Sequence, residues 1–235
     1  MPGSPRNNRT VGEVMFGLHK NFMFHVQGSF SDFGGKYEGE SLGLYAKYRF
    51  LSADNEHSHF RGAAFGRISG SKPNRVTEDL NLEGDNSGWQ SGVVFTQLLH
   101  KLALSATVAY GGSLGHGLRG GHFHGTPAIV PATTSGNHQT WSYSLSSGYL
   151  WFPVVYRNYK QPNFNLYFEA LGQQNSLTGR AYLDLAPALQ LILNSKTRID
   201  LGYRFEVAGN MLNRHINDMV LTRVEFNFFN ALTKK

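Results

Sequence analysis

Residues 197–207 read Thr-Arg-Ile-Asp-Leu-Gly-Tyr-Arg-Phe-Glu-Val, and this run constrains the chain most. Thr197, Ile199, Leu201, Tyr203, Phe205 and Val207 fall on one side of an extended backbone. Arg198, Asp200, Gly202, Arg204 and Glu206 fall on the other, because side chains alternate across a strand. The pattern returns after a polar stretch, with Thr222, Val224, Phe226 and Phe228 set against Arg223, Glu225 and Asn227. A soluble sandwich also alternates, but with shorter strands and a looser polar face. A strand of about 9–11 residues with one apolar and one ionic face suits a bilayer crossing within a closed barrel.

The rest of the chain reads as further copies. Apolar faces recur at Val14–Phe16–Leu18, along 22–30, 42–50, 60–68 and 89–95, and again along 102–110, 141–151, 164–173 and 181–193. That makes roughly eleven strands. Pro187 sits on the apolar face and removes a ladder donor, so a bulge or a position near the seam is expected there. Connections alternate in length. Short ones fall near His19, Asp54, Leu99, Phe152 and Asn194, and long ones at 31–39, 70–87, 111–137, 175–179 and 208–217. Outer-membrane barrels sort short periplasmic turns from long outer loops in this way, and they use even strand numbers. One more up-going strand before Val11 is therefore expected, giving an all-β, antiparallel up-and-down transmembrane barrel of about 12 strands. Residues 1–10 read as a disordered or trimmed segment, 11–229 as one barrel and 230–235 as a tail.

Composition fits this reading. Mean hydropathy is −0.33, which a membrane barrel shares with soluble proteins because only alternate residues meet lipid. No run of about 18 apolar residues could form a transmembrane helix. The 27 glycines and 13% aromatics suit tight turns and interfacial rings. Tyr48, Phe50, Tyr110, Trp141, Tyr149, Trp151, Tyr203 and Phe228 lie near strand ends, although β-sheets are enriched in aromatics generally. The net charge of +6 is spread singly along strands, so no nucleic-acid footprint is read. The chain has no cysteine, and its first residues lack the apolar core of an export signal.

The face predicted to point inward carries Lys47, Arg49, Arg61, Arg67, Arg180, Arg198, Arg204 and Arg223, with Glu13, Glu169, Asp184, Asp200, Glu206 and Glu225. Such charges must pair or line water. Two arrangements satisfy that requirement: a salt-bridge network filling a closed barrel, or a wet pore whose charges select solutes. Ser142, Ser144, Ser146, Gly148, Ala103, Ser105 and Thr107 leave space on one wall.

Residues 115–125 form a Gly/His-rich stretch with His116, His122 and His124, and His138 follows. Imidazoles ligate zinc, copper or nickel, but a glycine-rich loop gives them little ordered geometry. The reading is an outer loop shaping the mouth or folding inward as a constriction, with no metal and no cofactor. His25 with Ser29, or the serines near Ser144, offer a nucleophile and base without signature spacing, so no catalytic residue is assigned.

Tyr182-Leu183-Asp184-Leu185-Ala186-Pro187-Ala188-Leu189-Gln190, followed by Arg198-Ile199-Asp200-Leu201-Gly202-Tyr203-Arg204-Phe205, resembles outer-membrane barrels of the phenol-degradation meta-pathway transporter type. Barrels of Bacteroidetes-like bacteria are similar. The resemblance covers about residues 179–229 and implies a Gram-negative outer-membrane channel, of porin style, for small or apolar solutes. The chain departs from the usual barrel ending, since Phe229 is followed by Asn-Ala-Leu-Thr-Lys-Lys. The expected partners are outer-membrane lipid and a small-molecule solute, with a protein partner or oligomer left open. Three rival readings are carried: a closed accessory barrel binding partners through its loops, an outer-membrane lipid enzyme, and a soluble barrel with an apolar interior.

Overall fold

The computed structural model describes residues 7–56, 58–73, 75–114, 139–153, 161–194 and 196–228. Eleven strands follow one another: β1 (Arg9–His19), β2 (Phe22–Ser31), β3 (Glu38–Asn55), β4 (Ser58–Ser71), β5 (Gly88–Leu99), β6 (Leu102–Ser113), β7 (Gln139–Phe152), β8 (Asn163–Asn175), β9 (Ala181–Leu193), β10 (Thr197–Gly209) and β11 (Met219–Phe226). Each pairs antiparallel with its sequence neighbours, so one up-and-down sheet curls into a half-barrel. Among the described residues, β1 and β11 each lack a partner on one side. As first and last of an odd series they run in the same direction, so antiparallel closure needs one further strand between them.

The alternation sorts the faces as the sequence reading expected. Val14, Leu44, Tyr48, Leu145, Leu201 and Val224 stand exposed on the convex face. Gln27, Ser29, Ser31, Ser69, Thr140 and Asp184 are buried on the concave face. Trp89, Tyr110 and Trp141 form a contiguous convex row near one end of β5–β7, with ring centroids 6.0 and 4.8 Å apart. Where β8 carries Gly172, the ring of Tyr143 on β7 covers it so closely that a Cβ would overlap the ring.

The connections sort by end. His100 takes positive φ (49°) in the two-residue β5–β6 turn, and Asn194 (52°) does so in the three-residue β9–β10 connection at the same rim, as tight hairpin connections favour. The link from β7 to β8 lies at that same rim but spans residues 153–162, so it is not short. β1 starts at Arg9, two residues before the barrel was expected to begin, and Arg9 is tied to the concave face by ion pairs. Pro187 marks neither a bulge nor the seam. The β8–β9 register runs through it unbroken, and β9 lies inside the sheet. Its convex position gives up a ladder donor without shifting the strands. The nearby bulge falls in β10, where the register shifts between Glu206 and Ala208.

Candidate functional site

Of the outer polar loop expected at 70–87, residues 75–87 fold into the concave face instead. Their apolar and polar groups are both buried: Leu80 is 5% exposed, Asp85 1% and Asn86 1%. The segment holds its own shape. Asn86 Oδ1 accepts from the Asn81 amide at 2.7 Å, and Asn86 Nδ2 donates to the Arg75 carbonyl at 2.8 Å and to Thr77 Oγ1 at 3.1 Å. Asn81 Nδ2 donates to Asp85 Oδ2 at 2.8 Å. Buried polar groups satisfied within a loop give it a fixed form.

This plug is tied to both sides of the half-barrel. Toward β8, Leu80 N–H donates to Gln173 Oε1 at 2.9 Å, and Gln173 Nε2 donates to the Leu80 carbonyl at 3.0 Å. Asn175 Nδ2 donates to the Glu78 carbonyl at 3.0 Å, and Arg180 Nη1 meets Glu78 Oε1 at 2.7 Å. Toward β1, Asp85 Oδ1 takes Arg9 Nη2 at 2.7 Å and His215 Nδ1 at 2.8 Å. Arg9 Nε also meets Glu40 at 2.8 Å. Glu40 is the extra residue of a β-bulge opposite Ser29 and Phe30, and the bulge turns its carboxylate inward. The Phe33 ring packs against His215 at 4.4 Å and lies 4.9 Å from the Arg9 guanidinium carbon. Burial pushes the Asp85 carboxyl up, but the hydrogen bonds from His215 and Arg9 outweigh it and hold the group below the ordinary range. Burial dominates at Asp79 and raises its pKa.

A second cluster lies beside the plug. Asp184, 0% exposed, takes Arg204 Nε at 2.7 Å and both terminal nitrogens of Arg214, at 3.0 and 2.7 Å. Arg214 Nη1 also meets Glu206 at 2.5 Å, and its guanidinium carbon stands 3.6 Å from the centre of the Tyr182 ring. A third cluster joins Arg198 to Glu225 at 2.7 Å and to Asp200 at 3.3 Å, with Arg223 3.3 Å from Glu225. Between the second cluster and the small-residue wall is a cavity of about 220 Å³ lined by Phe65, Gln90, Thr107, Ser142, Ser144 and Arg204. The space expected beside Ser142, Ser144 and Thr107 is therefore present.

The remaining expected inward charges do not form one ladder. Arg61 pairs with Asp54 at 2.5 Å, and Arg67 reaches Gln27 at 2.8 Å and Glu83 at 3.6 Å. Glu169 accepts from the Tyr167 hydroxyl at 3.3 Å. Arg49 donates to the Lys20 carbonyl at 2.6 Å. Lys47 has no hydrogen-bond or ion-pair partner among the described residues. His25 meets Glu13, while Ser29 Oγ bonds Ser41 Oγ at 2.6 Å, so the structure does not join His25 to Ser29. His116, His122 and His124 lie outside the described residues. Among the described residues no group of three or more His, Asp or Glu side chains could hold a metal ion, and no helix is long and apolar enough to cross a membrane.

Sequence reading missed Arg9, Glu40, Arg75, Asp85, Arg214 and His215. Arg9 lies in the segment 1–10 read as disordered or trimmed, and Glu40 is the extra residue of a bulge, where face assignment fails. The others sit in segments read as outer loops. The alternation Asp79-Leu80-Asn81-Leu82 inside a polar stretch was the available signal for an inserted segment.

A scan against protein-family models finds no match, and no curated protein matches the chain.

Proposed function

We propose that the chain is the wall of a Gram-negative outer-membrane β-barrel that passes small solutes through a polar lumen narrowed by residues 75–87. The observation that carries this reading is the inversion of the sheet: apolar side chains are exposed on the convex face, and charged and hydroxyl side chains fill the concave one. A soluble barrel buries its apolar side chains inside. A face of exposed Val, Leu and aromatic residues on nearly every strand needs lipid or protein to cover it, and an ionic interior of paired Arg and Asp/Glu suits an aqueous lumen. The Trp89–Tyr110–Trp141 row suits a membrane–water interface. The likeness of residues 179–229 to channels of the phenol-degradation transporter type points the same way. The cavity of about 220 Å³ beside the plug leaves room for a small solute.

A closed accessory barrel is the second reading, favoured by the burial of the plug. Planar-bilayer conductance decides between them. The channel reading expects discrete conductance steps from the refolded protein, larger when residues 76–84 are replaced by a short Gly/Ser linker. Insertion without conductance in both forms would favour the accessory barrel.

A further inference from the structure

Nearly every strand cation on the concave face is answered by a carboxylate. Arg61 has Asp54, Arg67 has Glu83, Arg198 and Arg223 have Glu225, and Arg204 has Asp184. Lys47 and Arg49 are the exceptions among the described residues, and they sit two apart on the same face of β3. All 16 acidic residues of the chain lie within the described segments, and none is within ion-pair distance of either. Arg49 donates to neutral oxygens, the Lys20 carbonyl at 2.6 Å and Asn21 Oδ1 at 3.1 Å. Lys47 is flanked across the sheet by Met23 on β2 and Phe65 on β4. Its wall therefore offers the ammonium apolar flanks. Glu13, on the neighbouring part of the wall, is committed to His25.

A partly buried ammonium without a protein acceptor costs free energy unless water or an anion answers it. Paired charges contribute little field at a distance, so unpaired ones set the sign of the local potential. Glu169 on β8 accepts from the Tyr167 hydroxyl and interacts electrostatically with Arg204.

Resting on the channel reading above, we infer that Lys47, with Arg49 beside it, is the station that makes the lumen prefer small anions, carboxylates among them. The arginines of β10 and β11 are cross-neutralised scaffold and do not set the preference. Lys47 would hold a passing anion between Met23 and Phe65 by charge and N–H donation. The site stays weak because only one ammonium is free to donate fully, as a conducting site must be.

The test is the reversal potential of refolded protein in a planar bilayer under a potassium chloride gradient, repeated with potassium acetate. Wild type and Lys47→Arg are expected to prefer the anion, Lys47→Gln to lose most of that preference, and Lys47→Glu to reverse the sign. A cation-preferring wild type, or the same reversal potential in Lys47→Glu as in wild type, would overturn the inference and leave the channel standing. No conductance from wild type or from the linker-replaced plug would overturn the channel and the anion station together.

Discussion

Leu80 and Gln173 lie 93 residues apart and exchange two hydrogen bonds, the Leu80 amide to Gln173 Oε1 at 2.9 Å and Gln173 Nε2 to the Leu80 carbonyl at 3.0 Å. A side-chain amide thus stands in for a strand edge and docks the inserted loop on β8. Net hydrogen bonds contribute about 0.5–1.5 kcal/mol each. Gln173→Ala is expected to release this end of the plug while leaving the sheet intact. Hydrogen exchange should show the Leu80 amide opening roughly 5–150-fold more often, with β7 and β8 amides unchanged. Unchanged exchange at Leu80 would mean that Leu80 and Leu82 packing alone holds the loop.

Two carboxyls of the plug titrate with opposite effects. The folded pKa of Asp85 is lowered, so its contribution to docking is present above its unfolded value and is lost as pH falls through the folded one. That of Asp79 is raised by burial, so its contribution is fully present below the ordinary Asp value and is lost as pH rises through the folded one. Asp85→Asn is therefore expected to loosen the plug at neutral pH, by less than the about 3–5 kcal/mol of a buried pair broken outright, because Arg9 keeps Glu40 as a partner. Asp79→Asn is expected to leave it equally or more tightly docked there. Limited proteolysis within residues 75–87 at pH 7 reads both, and cleavage that ranks the two variants in the other order would contradict the assignment.

Asp184 holds Arg204 and Arg214 from a fully buried position. Asp184→Asn removes the charge that both guanidinium groups share, and breaking such a buried pair costs about 3–5 kcal/mol. Guanidinium unfolding in detergent should show that loss. Arg223→Ala, at an exposed side chain on β11, should change stability by less than about 1 kcal/mol.

The convex face makes a contrasting prediction. Leu145 is exposed on β7, and its neighbour Ser146 faces the interior. An arginine on the lipid face costs about 2–4 kcal/mol near the bilayer midplane, so Leu145→Arg should destabilise the protein in lipid while Ser146→Thr should not. Equal stability of wild type and Leu145→Arg in bilayers would place Leu145 in water.

Much of this architecture was legible because a period of two, held over ten or more residues, fixes both strand and face. Thr197–Gly209 and Leu102–Ser113 are the clearest cases. The site was less legible, since ion-pair partners come from different strands and from loops whose path no local pattern fixes. Asp184 was readable as an inward charge on β9. That Arg214 would fold back onto it was not, because a long polar connection carries no period. Glu40 was hidden by its bulge, which breaks the parity that assigns faces. Pro187 misled for the converse reason: the sheet absorbed a missing donor without a register shift.

The most direct test of the account is where the tryptophans sit. Trp89, Trp141 and Trp151 all lie on the convex face. The protein refolded into vesicles of lipids brominated at defined acyl positions should show strong tryptophan quenching, greatest with bromines near the headgroups, while its strand content stays unchanged. Fluorescence indifferent to brominated lipid, from protein that stays folded and soluble without detergent, would contradict the membrane barrel outright.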